Sequence, residues 1–476
     1  MELNSDTCYQ ALLTHDRRFD GVFFVGVAST GIYCRTVCTA KTPKQENCTF
    51  HRSAAAAERA GFRPCLRCRP ELAPGTAQVD AMDRLAREAA NRIEDGALVE
   101  GNIEQLAADL GVTGRHLRRV VEQEFGVSPI ELAQTSRLLL AKRLLTDTDL
   151  SVIEIAFASG FSSLRRFNAL FKERYRLNPT ELRKGRRGQR LHDTLACEVA
   201  YAPPLDWESL LGFLGARVCR GVESVDGDRY LRTLEFGKHR GWIAICPAPD
   251  KDALRVDASY SLAPVLRNVV ASVKRVFDLG AQPGQIAARL GTLAEARPGL
   301  RVPGAFSGFE MAVRAILGQQ ISVSAASTLA GRYTAAFGEP IVTPFDALTC
   351  LSPTPDRVAA AEPDELAALG ILRSRAQTII ALARAVAEGS IDLRPGADVP
   401  RTMARLREIR GIGEWTAHYI AMRSLGWPDA FPHADLGIMK ALGETDPKRI
   451  LQVAEAWRPW RAYATMHLWK SLEVRP

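Results

Sequence analysis

The 476-residue chain has no apolar run approaching the roughly 18 or more residues that a membrane-spanning helix needs, and no apolar signal core at its N-terminus. No membrane partner and a cytoplasmic location are therefore expected. An acidic balance is also missing: 62 Lys and Arg face 54 Asp and Glu, a net charge of +8. The excess is uneven. Residues 1–190 hold 29 basic against 23 acidic side chains (+6), and the remainder 33 against 31 (+2). A basic first half points toward nucleic acid. Framework spacing is absent from six of the ten cysteines (Cys8, Cys48, Cys197, Cys219, Cys246 and Cys350), which excludes a disulfide-stapled secreted scaffold and fits a reducing compartment. At this length one core does not suffice, and three or four domains are expected.

The other four cysteines are organised. Cys34 and Cys38 form one close pair, Cys65 and Cys68 another, with 26 residues between the pairs. Each pair can grip a metal from a single turn, and together they complete a tetrahedron of thiolates around Zn2+. A purely structural zinc module is the plain reading of such spacing. The flanking residues say more. Asp20-Gly21-Val22-Phe23-Phe24-Val25-Gly26-Val27-Ala28-Ser29-Thr30-Gly31-Ile32-Tyr33-Cys34-Arg35, followed by Gly61-Phe62-Arg63-Pro64-Cys65-Leu66-Arg67-Cys68, resembles the N-terminal domain of the Ada DNA-repair methyltransferase family. The resemblance implies that Cys34 is a sacrificial acceptor of a methyl group from a DNA methylphosphotriester. A zinc-held sulfur stays deprotonated at neutral pH without a dedicated base, as a poor electrophile requires. Four thiolates on one divalent cation carry a net charge of −2, so methylation would relieve repulsion from the DNA backbone and make repair a switch. Thr30, Lys41 and Arg67 are the expected phosphate contacts of this domain.

From residue 80 the pattern is helical for about a hundred residues. Asn102 to Arg119 reads as an amphipathic helix, a glycine turn and a second helix exposing Arg115, Arg118 and Arg119; Val152 to Phe167 repeats the scheme with Arg165 and Arg166. A helical bundle with a solvated basic face would look similar. The closing run Ala156-x3-Gly160-Phe161 … Phe167-x3-Phe171-Lys172 … Asn178-Pro179 resembles the AraC-type double helix-turn-helix, which implies that each second helix enters a major groove.

A basic cluster with two glycines, Arg183 to His192, reads as a tether. Strand-like and helical stretches follow, with a hairpin expected at Asp226-Gly227. This α+β segment shows no chemical motif of its own; it is similar to the N-terminal, TATA-binding-protein-like domain of AlkA-type 3-methyladenine DNA glycosylases.

In the last third, Leu406-Arg407-Glu408-Ile409-Arg410-Gly411-Ile412-Gly413-Glu414-Trp415-Thr416-Ala417 reads as a helix, a glycine hairpin and a new helix, and Asp435 stands 20 residues after Trp415. Gly411 and Gly413 let backbone approach a DNA phosphate, and amides of the following helix face its charge. The arrangement resembles the helix-hairpin-helix glycosylase superfamily. Ala454 to Ala464, His467-Leu468-Trp469 and Phe309-Glu310 … Ile316-Leu317-Gly318-Gln319-Gln320-Ile321-Ser322 narrow the resemblance to AlkA. It implies that Asp435, which on position alone equally suits a helix cap, is the catalytic carboxylate that stabilises a sugar cation as the glycosidic bond breaks. Trp415, Tyr419 and Trp469 are the candidate pocket for a flipped cationic base. Gly411, Gly413, Thr416, Gln319 and Gln320 are candidate DNA contacts, and either Gln320 or Ile321 fills the gap left by that base.

Absences sharpen this reading. Bifunctional members of the superfamily carry a lysine two residues after the hairpin's second glycine, where this chain has Trp415, so excision should stop at an abasic site. No cysteine follows Cys350, which excludes a C-terminal iron–sulfur cluster. Pro-Cys-His-Arg, the motif of Ada's second methyltransferase domain, is missing, so transfer from O6-methylguanine is not expected. The expected chain is multi-domain α+β: a small zinc domain (1–75), a double helix-turn-helix (80–185), a basic linker (186–194), an AlkA-type α+β domain (195–300) and an all-α helix-hairpin-helix glycosylase domain (301–476). Expected partners are alkylated and promoter double-stranded DNA and RNA polymerase, with the chain a monomer. The rival is a non-enzymatic zinc regulator whose glycosylase half only binds DNA.

Overall fold

The computed structural model describes residues 4–16, 19–73, 84–148, 150–183, 194–394 and 397–473. Most of the basic tether lies outside the described residues. The backbone forms two compact units, one of residues 1–203, 247–274 and 279–282, the other of residues 204–246, 275–278 and 283–476.

The first unit begins with a small sheet ordered Cys48–His51, Phe24–Val27, Ile32–Cys34 and Arg63–Pro64. The last two strands run parallel, with Tyr33 opposite Pro64, so the chain enters Cys34 and Cys65 side by side. Beyond it, two helix-turn-helix units form as the apolar spacing requires: Ile103–Asp109 with Gly114–Phe125, and Val152–Ala158 with Leu164–Tyr175. Gly111 and Gly160 turn the chain at φ +69° and +83°, a region that favours glycine. Leu106, Leu117 and Val121 close the core of the first helix pair, and in the second Phe167, Phe171 and Tyr175 pack at steep ring-to-ring angles of 60° and 70°.

Between them runs the helix Pro129–Asp147, started by a reciprocal capping box of Ser128 and Glu131. The zinc module docks on it. Lys142 Nζ donates to Glu71 Oε1 at 2.6 Å with both side chains 1% exposed; Arg69, next to Cys68, reaches Asp147 and Thr146. Glu58 is buried, taking hydroxyl hydrogen bonds from Tyr33 (3.1 Å) and Thr135 (3.0 Å). Burial pushes its carboxyl up to about 7 against those hydrogen bonds. Thr194–Ala200 and Ala253–Ser259 pair antiparallel in the same unit.

The second unit opens with the helix Trp207–Gly215 and a meander of Glu223–Asp226, Arg229–Phe236 and His239–Pro247, whose first turn carries Gly227 at φ +62°. Helices dominate from Gly308 onward. Phe309, Ile316, Leu317, Ile379 and Ile420 form the main core. A buried ionic group of Arg232, Glu223, Glu310 and Arg314 ties the meander to the helix Gly308–Leu317.

Candidate metal centre and candidate active site

The four sulfurs of Cys34, Cys38, Cys65 and Cys68 lie within 4.8 Å of one another. Sulfurs of a tetrahedral zinc site, with Zn–S about 2.3 Å, sit roughly 3.8 Å apart, so donor set and spacing fit Zn2+. Cys38 and Cys65 are buried, at 4% and 7% exposure, while Cys34 and Cys68 are partly exposed. These two differ in one respect. Cys68 Sγ accepts the backbone N–H of Arg35 at 3.4 Å, a bond that draws charge from the sulfur, whereas among the described residues no backbone N–H donates to Cys34 Sγ. Arg35 is itself fixed: Nε donates to Asp20 at 2.8 Å and Nη1 to the Cys68 carbonyl at 3.2 Å. Thr30, Lys41 and Arg67 are all exposed.

On the second helices of the two helix-turn-helix units, Gly114–Phe125 and Leu164–Tyr175, Arg115, Arg118, Arg119, Arg165 and Arg166 are exposed. Arg118 is shared with Glu104 at 2.9 Å, and Arg119 contacts His116.

In the second unit the helices Val399–Glu408 and Glu414–Arg423 flank the glycine hairpin. Gly411 has φ +97°, and a Cβ there would stand 2.3 Å from Thr378 Oγ1, so the turn needs glycine twice over. Gly413 meets nothing within 4 Å and caps the second helix without a side-chain hydrogen bond. Its surroundings are open to a phosphate. Gln319 donates to the Gly411 carbonyl (2.9 Å) and to Thr416 Oγ1 (3.0 Å), while Arg375 donates to the Gln319 carbonyl. Thr416 is thus buried under the hairpin, and Gln320 stands exposed at φ +55° on the separate turn between the helices Gly308–Leu317 and Val323–Phe337; Ile321 beside it is half-buried.

Asp435 does cap the helix Leu436–Leu442, its Oδ1 accepting Ile438 N–H at 3.0 Å. It does more. Trp469 Nε1 donates to Oδ1 at 2.8 Å and Trp415 Nε1 to Oδ2 at 2.9 Å. Of the carboxylate's four acceptor positions the described residues fill three and leave one, on Oδ2. Trp415 stacks on Tyr419 at 5.3 Å and 10°, and Tyr419 lies 6.2 Å from Trp469. The three predicted aromatics and the predicted carboxylate therefore meet in one place.

Two neighbours were not foreseen. Phe213, from the segment without a motif, stacks on Trp469 at 6.3 Å and 10°. Gly437 makes room for the pair, since a Cβ there would stand 2.9 Å from both Asp435 Oδ1 and Trp469 Cδ1. A glycine two residues past the candidate aspartate, in the first turn of a helix, was the available signal.

The family described as "Metal binding domain of Ada" matches residues 7–71, and a helix-turn-helix domain family matches residues 106–185. The "AlkA N-terminal domain" matches residues 196–307 and the "HhH-GPD superfamily base excision DNA repair protein" family residues 313–455. A Mycobacterium tuberculosis protein described as "Probable bifunctional transcriptional activator/DNA repair enzyme AlkA" is 38% identical over 98% of this chain and 96% of its own. The chain belongs to this family of bifunctional transcriptional activators and DNA repair enzymes. Alkylation repair and regulation, DNA binding, a DNA glycosylase half and a Zn2+ site at the four cysteines are its properties at that level. Escherichia coli DNA-3-methyladenine glycosylase 2 is 40% identical over 56% of this chain and 95% of that protein. Among solved structures, 3-methyladenine DNA-glycosylase from Archaeoglobus fulgidus shares the fold over 58% of the chain, at a TM-score of 0.50 and 19% identity. No helix among the described residues is long and apolar enough to cross a membrane.

Proposed function

We propose that the chain repairs alkylated DNA in two ways: it removes methyl groups from phosphotriesters once per molecule, onto Cys34, and excises alkylated bases such as 3-methyladenine and 7-methylguanine with turnover. The observation that carries the second activity is the clamping of Asp435 between two indole N–H groups beside a stack of aromatic rings. A carboxylate so held cannot swing away as charge develops on the sugar, so it stabilises that charge without reorganising. Its free Oδ2 position is left to accept a hydrogen bond from the attacking water. The alkylated base leaves as a neutral molecule because it arrives as a cation, so no strong acid is required. With Trp415 where a Schiff-base lysine would stand, the reaction ends at an abasic site. Gln320, exposed on a turn braced by Gln319, Thr416 and Arg375, is favoured over half-buried Ile321 as the side chain that fills the vacated stack.

For the first activity, Cys34 is the partly exposed sulfur that no amide quenches. Zn2+ at this site keeps the four sulfurs deprotonated. Cys34 Sγ forms the new S–CH3 bond as the O–CH3 bond breaks, the electron pair returning to the phosphate, which regains its charge. The sulfur loses one negative charge, so the metal module repels DNA less and the helix-turn-helix units bind their promoter more tightly, the gain shrinking with salt. Activation of transcription through RNA polymerase follows from that tighter binding. One assay tests both activities: duplex DNA alkylated with a labelled methyl donor, scored for bases set free and for label carried by protein. Label on Cys38, Cys65 or Cys68, or no released base, would contradict the corresponding half.

A further inference from the structure

Behind the aromatic wall lies positive charge that base excision as described does not use. The Arg217 guanidinium sits 3.8 Å from the centroid of the Phe213 ring, and that of Arg423 stands 5.0 Å from the same ring and 5.7 Å from the ring of Tyr419. Arg423 is 2% exposed. It donates to the Tyr419 hydroxyl at 2.9 Å, to the Gly304 carbonyl at 3.3 Å and to the Pro303 carbonyl, while Arg217 donates to the Phe213 carbonyl at 3.2 Å. Among the described residues neither guanidinium has a carboxylate partner. Arg314 close by makes the contrast: Glu223 at 2.7 Å and Glu310 at 3.1 Å balance its charge. The positive charge is felt in the pocket. Burial alone would raise the Tyr419 phenol, yet Arg423, Arg217 and Arg314 outweigh it and hold the group below its ordinary value.

A cation is drawn to the negative face of an aromatic ring. Rings that already face guanidinium groups have less attraction left for a second cation, and charges so poorly screened repel it directly. Stacking by dispersion is untouched, because it does not need the base to be charged. We propose that Arg217 and Arg423 set the charge preference of the base pocket, weakening its hold on cationic bases so that uncharged damaged purines compete for the same slot. The proposal rests on the excision reading above. It makes Arg217 a specificity-determining residue that acts through Phe213, one step from the substrate.

Arg217→Met keeps an unbranched stem over the ring and removes the charge, and Arg217 is only half-buried, so the fold should tolerate it. Single-turnover release is measured from two duplexes, one carrying 7-methylguanine as the cationic base and one carrying hypoxanthine as the uncharged base. The ratio of the two rates should rise about tenfold in favour of 7-methylguanine in Arg217→Met and stay near the wild-type ratio in Arg217→Lys. A merely structural role would lower both rates in step; an unmoved ratio overturns the proposal. Release of neither base by the wild-type chain would defeat the excision reading itself.

Discussion

The two groups proposed to react are held in opposite ways. Cys34 depends on ligands that lie within one short segment, residues 34–68, brought together by a four-stranded sheet. Asp435 depends on residues gathered across the second unit: Trp415 and Trp469 donate to it, Phe213 stacks on Trp469, and Gly437 leaves them room. The first arrangement suits a group used once: the metal does the holding, and the protein need only deliver four sulfurs and leave one uncovered. The second suits a group that must return to the same state after each cycle, which calls for a rigid surround that no single neighbour supplies.

The sharpest break between them is at Cys34. Cys34→Ser should abolish methyl uptake by protein while base release continues at the wild-type rate, measured by mass spectrometry and by free-base chromatography on the same sample. Next is Asp435→Asn, which keeps size and removes the charge; single-turnover excision should fall on the order of 100-fold or more, with methyl uptake and binding to alkylated DNA retained. Excision at the wild-type rate would make the carboxylate a helix cap and nothing else. Gly437→Ala tests whether the surround matters as argued. Its added carbon would push Asp435 and Trp469 apart, and a misplaced carboxylate should lower the excision rate by roughly tenfold with little change in DNA affinity.

The smallest effect lies in the first unit. Glu58 in the folded protein holds its proton up to about pH 7, against about 4.5 for an ordinary glutamate. Between those values the folded state binds the extra proton, so stability falls as pH rises through the window and then levels off. Glu58→Gln, which keeps the hydrogen bonds in neutral form, should flatten that slope and stabilise the first unit at pH 8 by ~1–3 kcal/mol. Denaturant melts at pH 5 and pH 8 would show it. Equal slopes in both proteins would mean the site takes up no proton on folding.

The same contrast governs how much could be read from sequence. Cysteine spacing is a local property, and the zinc site was legible residue by residue. Gly111 and Gly160 likewise announced their turns, because positive φ leaves few alternatives to glycine. Asp435 was legible only through its distance from the hairpin and the family pattern. Phe213 was not legible at all: in Trp207–Gly215 it reads as one apolar residue of a buried helix face, and only the packing of that helix brings its ring against Trp469. Thr416 and Gln319 looked like DNA contacts by position, but their side chains face each other beneath the turn. Sequence distance carries no information about such a pairing.

Lys142 and Glu71 seat the zinc module on the long helix Pro129–Asp147, each 1% exposed. Removing one partner of such a pair strands the other as a bare charge in an apolar site, a loss of about 3–5 kcal/mol. The consequence is one of descent. A zinc module that brought any residue other than an acidic one to position 71 would leave the Lys142 ammonium unpaired where it is 1% exposed, and the hybrid would be destabilised at once. The zinc module and the helix under it can therefore be exchanged only together, or with both charges replaced at once.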